Sequence, residues 1–135
     1  MLTENEVIDF VCIYLQENGY SINQKLSTNQ TGIDIVATNS NGTLCFVEAK
    51  GATSSKPNSS KFGEEFDKSQ VKTHVGVALV AAFKALNDNP GTESFIALPN
   101  NANHKTLIDS MVEPIKKSGI KVLLVNELGN IHVHI

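Results

Sequence analysis

TGIDIVAT (31–38), NSNG (39–42), TLCFVEAKG (43–51): this stretch decides how the chain is read. Ile33, Ile35 and Val36 on one arm, with Leu44, Phe46 and Val47 on the other, have the β-branched and apolar content of two adjacent buried strands around a polar turn. Within that apolar material stand Asp34, Glu48 and Lys50. A buried charge is costly unless it is paired or metal-bound, so three ionisable groups on adjoining strands need a common explanation. Side chains alternate along a strand, and a slip of one residue turns all of them over. A two-residue turn at Asn41-Gly42 sets Asp34 against Ala49 and separates the two acids. A three-residue loop, Ser40-Asn41-Gly42 with Gly42 left-handed, sets Asn39 against Thr43 and Asp34 against Glu48, with Lys50 on the same face. The odd-numbered loop is the expectation adopted.

With that register the stretch resembles the PD-(D/E)XK nuclease superfamily, in particular the Mrr-type restriction endonucleases and the Holliday-junction resolvases. The residues that carry the likeness are Gly32-Ile33-Asp34-Ile35-Val36-Ala37, a short turn, and Phe46-Val47-Glu48-Ala49-Lys50. Ile33 stands where the family name places a proline, and Ala49 fills the variable slot. The resemblance implies a metal-dependent phosphodiesterase acting on DNA. Asp34 and Glu48, with the Ala49 carbonyl, would hold Mg²⁺ or Mn²⁺, and Lys50 would orient the attacking water and stabilise the transition-state charge. The superfamily often has a first-helix glutamate near its metal, and Glu6 is the candidate. A glutamine early in the helix after the reactive strand matches Gln70, which would place the lysine or a phosphate. RNA stays open as a target, and superfamily members often work as dimers, so a homodimer is compatible with the likeness.

Working outward, Thr3 and Glu6 form a capping-box pattern ahead of Val7, Phe10, Val11, Tyr14 and Leu15 at helical spacing, ending near Asn18-Gly19. That pattern explains Glu6 without any chemistry. Residues 20–26 read as a first strand with Lys25 near its end. The Ser-rich segment 51–61 reads as a surface loop whose Lys56 and Lys61 are candidates for substrate-backbone contact, as is Lys25. Asp67 caps a long helix with Gln70 at its third position; Val71, Val75, Ala78, Leu79, Ala82, Phe83 and Leu86 form its core face. His74 lies one turn beyond Gln70 and is either a further backbone contact or a hydrogen-bonded residue at the helix edge. A strand at 93–98 follows, then a helix from Asn103, bent by Pro114 and ended by Gly119. Val122 to Val125 and Ile131 to Ile135 close the chain as strands. His132 and His134 share a face there, as an edge-strand pattern or a fortuitous metal site.

The order helix, three strands, helix, strand, helix, two strands predicts an α/β restriction endonuclease-like core, a mixed sheet flanked by helices. At 135 residues and 41% hydrophobic, residues 1–135 form one domain of that kind. No apolar run suits a membrane, so a cytoplasmic protein is expected, with Cys12 and Cys45 as buried thiols. The formal net charge is -3 and all eleven basic residues are lysine. Without arginine's fork, strong base-specific readout is not expected, and weakly specific binding through a local lysine patch is what the composition allows. The acidic balance also keeps a second class in view: a catalytically silent domain of this fold that binds a protein partner, as an immunity or inhibitor protein does.

Overall fold

The computed structural model describes residues 1–27, 30, 32–54 and 63–135. Helix α1 (Glu4–Glu17) starts where the capping box places it: Thr3 Oγ1 accepts from the Glu6 amide at 3.3 Å, and Glu6 Oε1 accepts from the Thr3 amide at 3.1 Å. Strands β1 (Ser21–Lys25), β2 (Ile35–Thr38) and β3 (Leu44–Ala49) follow, then α2 (Lys68–Asp88), β4 (Glu93–Pro99), α3 (Ala102–Asp109), α4 (Val112–Ser118), β5 (Lys121–Val125) and β6 (Ile131–Val133). The six strands lie side by side in chain order. Strand β3 pairs with β4 and β4 with β5 in parallel, and the remaining pairs are antiparallel.

Alternation of side chains divides the apolar residues into two cores, one on each face of the sheet. Val7, Ile8, Val11 and Leu15 of α1 pack on Ile35, Ala37, Cys45, Val47, Ala97 and Leu123. On the other face, Val71, Val75, Ala78 and Ala82 of α2, with Ile108 and Ile115, cover Ile96, Leu98, Val122 and Leu124. Both thiols are buried and free, as their apolar settings suggested. Among the described residues no helix is long and apolar enough to cross a membrane.

Three local expectations are corrected. The helix expected from Asn103 is not one bent helix but two, broken at Ser110-Met111. Pro114 has no amide to donate to Ser110, and its ring would press on that carbonyl, so the helix restarts at Val112 with Pro114 in the first turn, where no donor is required. The last strand stops at Val133 rather than Ile135. Phe83, expected in the core, is half exposed, because the buried stripe of α2 runs through Val71, Val75, Ala78, Ala82 and Ala85, and Phe83 stands one residue off it, about 100° round the helix.

His104 is fully buried on α3. Asn101 Oδ1 accepts from its backbone amide at 3.0 Å and lies 2.8 Å from Nδ1, which makes Nδ1 the protonated nitrogen. Among the described residues Nε2 has no partner. Burial, then the neighbouring His74, pushes the imidazole down to about 4. The unfolded chain therefore takes up this proton near pH 6.5 and the folded one only near pH 4, so stability present above 6.5 is lost as pH falls towards 4. The loss amounts to about 3 kcal/mol. Urea unfolding at pH 7 and pH 4.5 should show the wild type losing more stability than His104→Leu; parallel losses would mean that the ring charges without cost.

Candidate active site

The hairpin between β2 and β3 sets the geometry. Its loop is Ser40-Asn41-Gly42, with Gly42 at φ +82°. Asn39 explains the choice of an odd-numbered loop: its Oδ1 accepts from the amides of Asn41 and Thr43, both at 2.9 Å, and its own amide donates to the Thr43 carbonyl. Ile35 consequently faces Val47 and Val36 faces Phe46, and extending that register one residue beyond β2 sets Asp34 opposite Glu48. Asp34 lies just before β2 and its carbonyl accepts from the Leu26 amide, which keeps it in the plane of the sheet.

Asp34 is 9% exposed, and its Oδ2 accepts from the Ala49 amide at 2.8 Å. Burial raises its carboxyl above the ordinary value, while the Ala49 amide and the Lys50 charge oppose the rise. Glu48 is pushed up to about 7, first by burial and then by the charge of Asp34, while Lys50 opposes the rise. Two acids this close, short of water, cannot both ionise at little cost. Lys50 lies beyond the end of β3, held in plane by its amide donating to the Ala97 carbonyl at 3.0 Å.

A third acid completes the cluster, and it is Glu4. Its Oε1 is 3.7 Å from Lys50 Nζ, with both side chains about one-fifth exposed. Burial raises the Glu4 carboxyl, Lys50 lowers it and Asp34 raises it again. Glu6, the first-helix acid picked out in the sequence, is turned back onto Thr3, whose hydroxyl and amide both donate to Oε1. The signal for Glu4 was present: with Val7, Ile8 and Val11 it continues the buried stripe of α1, whereas a capping-box glutamate is already committed to its cap.

Gly51 brings α1 to this point. A Cβ on Gly51 would lie 2.5 Å from the Glu4 amide nitrogen and 2.8 Å from the Thr3 carbonyl carbon. Next to it the Ala52 amide donates to the Leu2 carbonyl at 2.7 Å. The strand that carries Glu48 and Lys50 is thus joined directly to the first turn that carries Glu4.

The other sequence candidates are placed as follows. Gln70 is not in the cluster: its Oε1 accepts from the Asp67 amide at 2.9 Å, the capping role. His74 stands near Lys50, whose charge, after burial, lowers its pKa, and its ring meets Phe66 edge to face at 4.5 Å. Lys25 pairs with Asp9 in an exposed contact. Lys56 and Lys61 lie outside the described residues. His132 and His134 are 5.8 Å apart between ring centroids, and His134 Nε2 is 2.6 Å from Asp109 Oδ1.

Among the described residues no three His, Cys, Asp or Glu side chains form a ready-made metal cage. Mg²⁺ and Mn²⁺ do not ask for one. They are commonly held by one or two carboxylates, waters and a substrate phosphate, and an oxygen-only pair such as Asp34 and Glu48 is the donor set they take.

A six-stranded mixed sheet with helices on both faces makes this an α/β domain, with Glu48 and Lys50 at the carboxyl end of its first parallel strand beside Asp34. Two solved structures share the fold. An XisH family protein from Nostoc punctiforme superposes with a TM-score of 0.55 at 21% identity, covering 96% of this chain and 95% of that one. An fdxN element excision controlling factor protein from Anabaena variabilis superposes with a TM-score of 0.56 at 23% identity, covering 94% and 96%. No family model matches the sequence, and no curated protein does. At these identities the likeness is one of fold.

Proposed function

We propose that this protein is a metal-dependent nuclease that hydrolyses DNA phosphodiester bonds with little sequence preference. The observation that carries this reading is the convergence of Asp34, Glu48 and Lys50 on one side of the sheet, with Glu4 reaching them from α1. A structural ion pair needs one acid per lysine; three acids around one lysine leave negative charge for a cation to neutralise. Asp34 and Glu48 would hold Mg²⁺ or Mn²⁺, aided by the Ala49 carbonyl, and the ion would supply an activated water and screen the phosphate. Glu4 takes the place first assigned to Glu6 and steers the Lys50 ammonium. Lys50 faces the same phosphate and offsets the charge that builds on it in the transition state. The excision named for the Anabaena structure is in keeping with work on DNA. A cytoplasmic location and a homodimer with paired sites suit such an enzyme.

Calorimetry with Mn²⁺, beside incubation with supercoiled, single-stranded and branched DNA in Mn²⁺ or chelator, tests the reading. Binding and chelator-sensitive cleavage are expected. A protein that neither binds the ion nor cuts any of these would be the partner-binding domain instead. The pH dependence has a definite sign. Because Glu48 is raised to about 7, its proton competes with the cation below that pH, and affinity should fall by roughly tenfold per unit there and level off above it. Affinity independent of pH between about 5.5 and 7 would remove Glu48 from the ligand set.

A further inference from the structure

We infer that the groove between α2 and α3 is a docking track for the sugar-phosphate backbone of duplex DNA, a surface separate from the acid cluster. This deepens the nuclease reading and rests on it for the choice of DNA. The groove, of about 300 Å³, is lined by Lys68, Lys72, Asn103, Thr106, Leu107 and Ser110. Lys68 and Lys72 are one turn apart, so their side chains leave α2 on the same flank about 6 Å from each other along the axis. Among the described residues neither lysine has an acidic partner, unlike Lys25, Lys50 and Lys105, and although Lys84, Lys116, Lys117 and Lys121 are also unpaired, Lys68 and Lys72 are the two that line this groove together.

The rest of the lining suits the same ligand. The Asn103 amide and the Thr106 hydroxyl make no side-chain hydrogen bond among the described residues, so both are available to phosphate oxygens. No acid lines the groove, and Asp67, next to Lys68, directs Oδ1 to the Gln70 amide at 2.9 Å. Position completes the case. Helix α2 is tied to the end of β3 through Phe66, whose amide donates to the Ala52 carbonyl, and α3 is capped by Asn101 directly after β4. Both helices therefore start at the carboxyl end of the parallel strands, where Glu48 and Lys50 stand, and the groove lies beside their first turns. In a chain of net charge -3, an unpaired lysine pair beside neutral donors is a local positive field that net charge does not cancel.

The test uses the full chain, a fluorescein-labelled duplex and chelator, with anisotropy read across a salt series for wild type and Lys68→Gln/Lys72→Gln. The double variant should bind at least about tenfold more weakly, and its slope of log affinity against log salt should be shallower by about two, one for each phosphate that a lysine no longer neutralises. Its thermal unfolding should match wild type. Equal affinity and slope, or a wild type that does not bind duplex, overturns the groove. The two readings separate cleanly: lysine-dependent binding without Mn²⁺-dependent cutting keeps the groove and removes the nuclease, while cutting that ignores both lysines does the reverse.

Discussion

Lys50→Ala should lower DNA cleavage by about a thousandfold while Mn²⁺ binding stays measurable by calorimetry. The size follows from position. The ammonium is mostly enclosed, 3.7 Å from Glu4 and beside the Asp34 and Glu48 pair, so it acts in a medium that screens charge less than water does. A preorganised group aimed at developing charge in such a place is worth about two to three powers of ten in rate. The cation ligands are untouched by the substitution, although three acids then share one neighbourhood without a counter-charge, and the cation should stabilise the variant more than the wild type. Glu48→Gln makes the complementary statement, since it should lose both cation binding and cleavage. Cleavage at the wild-type rate by Lys50→Ala would refute the role assigned to this lysine.

Gly51→Ala should destabilise the fold by about 3 kcal/mol, at the upper end of what overpacking costs. The new methyl would meet backbone, at 2.5 Å from the Glu4 nitrogen and 3.0 Å from the Leu2 carbonyl oxygen, and backbone cannot swing aside as a side chain does. Relief requires moving the first turn of α1 away from β3, which weakens the Ala52 to Leu2 hydrogen bond and withdraws Glu4 from Lys50. Activity measured well below the melting temperature should therefore fall more than folded fraction does. Gly42→Ala is the control: nothing lies within 4 Å of its Cβ, and its cost is confined to the positive φ. If Gly51→Ala melts with wild type and cleaves normally, the close approach of the two segments is not what places Glu4.

The readings that held did so because their causes are local. The Thr3 and Asp67 caps, the left-handed Gly42 and the facing of Asp34 and Glu48 all rest on residues within a few positions of one another or of the turn that joins them. The readings that shifted depended on contacts between distant segments. Glu6 is the acid the resemblance points to, a first-helix glutamate, yet the cap engages it, and nothing in the hairpin announces which turn of α1 will lie over Lys50. Gln70 was drawn towards Lys50 by its place after β3, and the same capping geometry held it at Asp67.

What the linear chain determined alone is the hairpin with its odd-numbered loop and left-handed Gly42, the shared face this gives the two acids, and, from the order of elements, an α/β fold. Only the tertiary structure decided that Glu4 joins them, that His104 is buried with Nε2 unpartnered among the described residues, and that Lys68 and Lys72 face α3 across a groove. Turns and caps are governed by bonds among neighbouring residues. The meeting of α1 with β3, and of α2 with α3, is governed by which surfaces pack once the sheet exists, and no local pattern encodes that.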